Sequence, residues 1–348
     1  MPVPMMPKPV VMPRLCLFLF LVLLGHSLPA AEVADAEVVE VRKIWDQAPH
    51  NAFTDLVRFK DRWFCVFREG QGHVSPDGAL RVITSTDGQQ WDSAAHFTSE
   101  NSDLRDAKIT ITPSGQLMLS GAEALHDQSQ KTHQSLAWFS DDGFHWGDRV
   151  EIGDADYWLW RTTWHRDTAY SVGYRCIPKY GIRLYTSQDG KKFDSLVADL
   201  LDDGYPNETS ILFEGDTAYC LLRRDRADEA STAGAREGTA MFGVAQPPYT
   251  HWEWKDLGIS LGGPHMIRLP DGRYLAAGRR AVKPSRTALG WLDPKAGTLE
   301  LFLDLPSRSD TSYPGLVWHD DHLWVSYYSS HEGKTSIYLA KVRINPRS

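Results

Sequence analysis

The sequence predicts an all-β fold, a six-bladed β-propeller closed by an N-terminal strand. Three observations carry this. A heptad of the form Ser-x-Asp-Gly-x-x-aromatic occurs as Ser85-Thr-Asp87-Gly88-Gln-Gln-Trp91, Ser140-Asp-Asp142-Gly143-Phe-His-Trp146 and Ser187-Gln-Asp189-Gly190-Lys-Lys-Phe193. The copies recur at a period of about 50 residues, as in propellers and solenoids. Helical periodicity is nearly absent, and short alternating apolar runs separated by turn residues fill the chain. The heptad is a turn with a mechanism: Asp accepts bonds from downstream backbone, Gly tolerates positive φ, and the aromatic ring folds back over the bend. A β-sandwich is the competing all-β architecture, but it gives no reason for the regular repeat.

Taken from the start, Lys8 and Arg14 precede an apolar run over 15–24, followed by Gly25, Ser27, Pro29, Ala30 and Ala31. That is the form of a secretory signal peptide over 1–31, with an apolar run too short to span a bilayer. The expectation is one mature domain over 32–348, secreted or periplasmic, without a membrane anchor after cleavage. Blades are expected over 52–97, 104–152, 157–200, 205–257 and 263–305. A sixth begins at Thr311 and offers only three strands, over 315–318, 323–328 and 336–342. The run 38–44 supplies the missing fourth, and this closure leaves no open sheet edge.

Composition narrows the partners. A formal net charge of −8 argues against nucleic acid or an anionic membrane. Cys65, Cys176 and Cys220 each lie in an apolar run, which reads as buried small residues and not as a disulfide framework. No Cys/His spacing of a zinc site is present, the grouping of His319, His322 and His331 reads as loop polarity, and neither metal nor cofactor is expected.

In a propeller the first strand of each blade lines the central channel. The blade starts read Thr54-Asp55, Arg105-Asp106, Trp160-Arg161, Asn207-Glu208, Pro264-His265 and Ser312-Tyr313. The ends of the second strands read Arg68-Glu69, Glu123, Arg175, Arg223-Arg224, Arg279-Arg280 and Tyr327-Tyr328. Any one arginine at a loop end is explained by solvation. Their recurrence in register points to an anionic ligand, since guanidinium binds carboxylate or sulfate bidentately.

The heptads resemble the Asp boxes of sialidases, and the second half of the chain resembles the catalytic half of exo-sialidases. In that family a Glu opens the fourth blade and an Arg ends its second strand. Here Asn207-Glu208-Thr-Ser-Ile-Leu-Phe is followed by Cys220-Leu-Leu-Arg223-Arg224-Asp225, with Arg224 the better match by spacing. The family's Arg-x-x-Leu-Gly is matched by Arg286-Thr-Ala-Leu-Gly290, with Arg280 as competitor, and its nucleophilic tyrosine by Asp310-Thr-Ser-Tyr313-Pro-Gly-Leu316. The resemblance implies Tyr313 as nucleophile, Glu208 as its base, and an Asp of the long first-blade loop as general acid. Asp77 fits that place, although Pro-Asp-Gly is also a plain turn, and Asp55 and Asp106 are the other candidates. Two departures stand out. The family opens its first blade with Arg-Ile-Pro where this chain has Phe53-Thr54-Asp55-Leu56, and it ends its last with Tyr-Glu where this chain has Tyr327-Tyr328. Arg68, Arg105 and Arg161 are the candidates to supply the missing charge.

The function the resemblance implies is an exo-glycosidase that hydrolyses a terminal acidic sugar from a glycan or glycoconjugate, sialic acid first; the leader implies secretion, and a monomer is expected. The alternatives are a hydrolase or lyase acting on a uronate, with His265 or Tyr313 taking the proton, and a non-catalytic glycan-binding propeller using Trp158, Trp160 and Trp164.

Overall fold

The computed structural model describes residues 1–6, 35–177, 181–226 and 238–346. The chain divides into Met1–Ala34 and Asp35–Ser348. Of the first unit only 1–6 are described, without regular secondary structure, and the body of the expected signal peptide lies outside the described residues.

The second unit is a six-bladed propeller. Its described strands form six four-stranded antiparallel sheets, each built as a meander except the last. The inner strands are His50–Phe59, Ser102–Ile111, Tyr157–His165, Tyr205–Glu214, Leu261–Arg268 and Thr311–His319. Each packs on the inner strands of the blades before and after it, so together they ring a channel. Between blades the sheet faces bury apolar side chains, for example Val66, Leu80, Leu104, Leu119 and Leu136 between blades 1 and 2.

Closure follows the expected route. Ala36–Trp45 pairs antiparallel with Ser336–Ile344, with Ala36 opposite Ile344 and Trp45 opposite Ile337. A truncation starting at Asn51 strips that strand and leaves Ser336–Ile344 as an open edge. It is expected to melt well below the full chain or to aggregate. Calorimetry showing an unchanged Tm would rule out a structural role for the closing strand.

The three heptads adopt one geometry. Each serine Oγ accepts from the glycine amide (2.9, 2.8 and 2.9 Å at Gly88, Gly143 and Gly190). Each aspartate Oδ1 accepts from the two amides after the glycine, and the glycines sit at φ 74°, 82° and 71°. The indole N–H of Trp91 and of Trp146 closes its turn on the glycine carbonyl. Phe193 has no such donor and covers its turn by packing alone. Cys65, Cys176 and Cys220 are buried, and burial pushes the Cys65 and Cys220 thiols up, away from the reactive thiolate.

A second repeat is not apparent from the turns. In all six inner strands the ladder slips at the same place, two residues opposing one: Phe53-Thr54, Asp106-Ala107, Trp160-Arg161, Asn207-Glu208, Gly263-Pro264 and Tyr313-Pro314. A bulge bends its strand and re-aims the side chains it carries. Six in register gather side chains at one mouth of the channel.

Candidate active site

Four of the bulges hold a residue at positive φ: Phe53 (64°), Asp106 (55°), Gly263 (59°) and Tyr313 (52°). Only glycine takes that conformation freely, so Phe53, Asp106 and Tyr313 are held there at a cost. At Gly263 a Cβ would lie 2.7 Å from the Tyr313 ring, so the fifth blade needs glycine to admit the tyrosine.

At the centre the Tyr313 hydroxyl donates to Glu208 Oε1 at 2.5 Å. Arg223 Nη1 donates to the same oxygen at 2.9 Å and to the tyrosine oxygen at 3.1 Å. The Gly263 amide holds Glu208 Oε2 at 2.7 Å, and Asp225 holds the far side of Arg223 at 3.0 Å. The Arg279 guanidinium lies 5.8 Å from the centre of the Tyr313 ring. Burial pushes Glu208 up, but the Arg223 charge, the tyrosine hydrogen bond and the Arg279 charge outweigh it, and its carboxyl stays below the usual range. Burial and the Glu208 charge push the Tyr313 phenol well above its ordinary value, against the pull of Arg223 and Arg279. The resting pair is therefore a neutral phenol on an ionised carboxylate. That arrangement is able to pass the phenol proton to the carboxylate, with two guanidinium groups beside it to stabilise negative charge.

Residues named from the sequence divide into those at this centre and those elsewhere. Glu208 and Tyr313 meet. Arg224 does not face them: it bonds to Asp203, Thr239 and Asp256 on the other side of its sheet. Neighbours on a strand point to opposite faces, and the residue opposite the bulge is Arg223. The same alternation sends Arg280 outward to Asp304, 3.2 Å away, and leaves Arg279 at the tyrosine. Arg286 donates to the Ser307 carbonyl. Arg161 lies in the channel, bound to Asp55 at 2.8 Å and to the Pro314 carbonyl at 2.9 Å. His265 is fixed there too, its Nδ1–H on the Pro314 carbonyl at 3.2 Å, and burial with the Arg161 charge lowers its pKa to about 3. Arg105 lies at the rim, its guanidinium 5.8 Å from the Phe53 ring centre and 6.0 Å from that of Trp158.

Arg68 is a brace. It is fully buried, bonds to Asp103 at 2.9 Å, and holds the first-blade loop through the carbonyls of Gly72 (2.8 Å) and Ser75 (3.0 Å). Asp77 lies on that loop, exposed, and accepts from the Gln71 amide at 3.2 Å. Against the upward push of burial, hydrogen bonds from Ser75 and Gln71 hold its carboxyl below the usual range. An aspartate tied into its own loop as a stable anion is poorly prepared to donate a proton.

Several residues were not singled out from sequence. Lys108 is buried, its ammonium 4.6 Å from the Trp160 ring centre and 6.0 Å from that of Tyr313, and burial with the Arg161 charge lowers its pKa to about 8. Beside Phe53 lies a polar cluster. His50 Nε2 (2.8 Å) and His73 Nδ1 (3.0 Å) both bond to Asp310 Oδ2, and the Tyr328 hydroxyl donates to Oδ1 at 2.9 Å. The three donor atoms lie within 4.8 Å of one another, as a metal would require. Yet His50 Nδ1 is buried without a hydrogen-bond partner, and a metal-bound imidazole gives its other N–H to an acceptor. The cluster therefore reads as one carboxylate served by two imidazoles and a phenol. Its members lie far apart in the chain, and no local motif marks them.

Fold and site together define a propeller whose channel mouth carries a tyrosine hydrogen-bonded to a buried glutamate, with arginines beside it. No protein-family model matches the chain, and no curated protein sequence matches it. Solved structures do. A protein of unknown function from Dyadobacter fermentans is 18% identical, over 90% of this chain and 100% of that one, with a TM-score of 0.76. An alpha-L-arabinofuranosidase from Fusarium graminearum is 13% identical, over 89% and 98%, at 0.68. The sialidase of Trypanosoma rangeli is 11% identical, over 84% of this chain and 55% of that one, at 0.66. The chain shares its six-bladed propeller fold with these arabinofuranosidase and sialidase structures.

Proposed function

We propose that this chain is an exported exo-glycosidase that removes a terminal acidic sugar from a glycan by the sialidase route, with Tyr313 as nucleophile and Glu208 as its base. The observation that carries the reading is the 2.5 Å contact between these two side chains, with Arg223 bound to both. A substrate bearing a carboxylate at the reacting carbon repels a carboxylate nucleophile. A phenol avoids that repulsion, which is why sialidases depart from the two-carboxylate rule. Arg223 and Arg279 suit the substrate's anion, and glycosidases among the similar folds support hydrolysis over simple binding. Phe53 stands where the family's first clamp arginine is expected, so the anion is gripped from one side. That favours an acidic sugar other than sialic acid as a serious second candidate. Export rests on the leader read over 1–31.

The test is a panel of fluorogenic sialosides, uronides and arabinofuranosides with product analysis. Turnover of an acidic member is the expected result. Activity confined to the arabinofuranosides would remove the anion from the reading. An unsaturated product absorbing in the near ultraviolet would make the enzyme a lyase, and saturable binding without turnover would make it a lectin-like propeller.

A further inference from the structure

A nucleophile alone does not break a glycosidic bond, because the departing oxygen needs a proton. It leaves on the side away from Tyr313, toward solvent. The acid must therefore stand on the exposed side of the mouth and within reach of it. Asp106 fails the first condition, being a bulge residue 8% exposed on the same floor as Tyr313. Asp77 is tied into its own loop. Lys108 lies buried in the channel, and His265 is fixed there on the Pro314 carbonyl.

His73 meets both conditions. Its side chain is 49% exposed. Its ring stands edge-on to Phe53 with centroids 5.0 Å apart, and Phe53 is in turn 5.1 Å from Tyr313. The loop that carries it is pinned from beneath by the fully buried Arg68, and its carbonyl accepts from Arg105 at 3.4 Å. Nδ1 is committed to Asp310, which fixes the ring and leaves Nε2 as the free working nitrogen. Asp310 is itself immobilised by His50 and Tyr328. Its carboxyl is pushed up by burial but held far below the usual range by the His50 and His73 bonds and the His73 charge, so it stays an anion able to support an imidazolium.

We propose that His73 is the acid and base acting on the leaving group, with Asp310 as the residue that positions it; this rests on the glycosidase reading above. In the first half-reaction the bond from the anomeric carbon to the leaving oxygen breaks. That oxygen keeps the electron pair and takes the proton from His73 Nε2. The Tyr313 oxygen bonds to the carbon, and its proton passes to Glu208. In the second half-reaction neutral His73 takes a proton from water as the water oxygen attacks the carbon. The bond to Tyr313 breaks, and the tyrosine recovers its proton from Glu208.

The experiment compares leaving groups in wild type and His73→Ala, using two glycosides of the best sugar found in the panel. One carries an activated phenol that needs no proton to depart, the other an alkyl alcohol that does. For His73→Ala, kcat/KM is expected to fall about a hundredfold or more on the alkyl glycoside and to stay within about threefold on the activated one. A thermal melt matching wild type confirms the fold, as an exposed loop residue should allow. Equal losses on both substrates, or no loss on either, would overturn the role of His73 while leaving the glycosidase reading intact. Failure of wild type to cleave any glycoside would overturn that reading, and His73's role with it. Activity lost to EDTA and restored by zinc would make the cluster a metal site instead.

Discussion

Tyr313→Phe is expected to retain the fold and lose turnover by roughly three orders of magnitude or more. The substitution keeps the ring, which packs against Phe53 at 5.1 Å and Trp160 at 5.8 Å, and removes only the hydroxyl on Glu208. Glu208→Gln is expected to fall comparably, since an amide cannot take the phenol proton. The double variant should be little worse than either single one, because groups acting as a unit are not additive. The measurement is kcat on the best substrate. A Tyr313→Phe enzyme within tenfold of wild type would end the tyrosine-nucleophile mechanism and turn attention to water attacking directly.

Arg223→Ala is expected to damage both stability and catalysis. It strands Glu208 and Asp225, both buried, and breaking a buried pair from one side costs about 3 to 5 kcal/mol. Activity should fall about a hundredfold or more. Arg223→Lys keeps the charge but cannot reach Glu208, Tyr313 and Asp225 together, so its rescue should be partial. The pH dependence has a definite sign. Arg223 is the largest of the influences that lower Glu208, so without it the folded-state pKa rises. A depressed carboxylate lends stability above its unfolded value and loses it as pH falls through its folded value, so in the variant that loss sets in at higher pH. The acid limb of kcat/KM should move the same way. Chemical melts and a pH–rate profile for both variants check this, and an unshifted acid limb would separate Glu208 from the rate.

Blade number and ring closure were legible in the sequence as recurring strand runs, and the meeting of Glu208 with Tyr313 as what the resemblance implied. A serine, an aspartate and a glycine in one turn fix that turn wherever it occurs. No such pattern separates adjacent arginines. Arg223 and Arg224 differ only in which sheet face they occupy, and that depends on the register across the bulge at Asn207-Glu208. The His50, His73 and Asp310 cluster could not be read locally at all. Its parts come from the start of one blade, the loop above it and the threshold of the last blade, and only ring closure brings them together.

That closure also decides how the ring answers to force. The first and last strands run antiparallel with their outer ends side by side, Ala36 opposite Ile344 and the Asn345 amide on the Asp35 carbonyl at 3.0 Å. Tension between those two ends does not shear the ladder along its length. It peels the pairs one after another, so the resisting force at any moment comes from one or two hydrogen bonds. The same seam that covers the edge of Ser336–Ile344 therefore opens like a zip when drawn from its own ends.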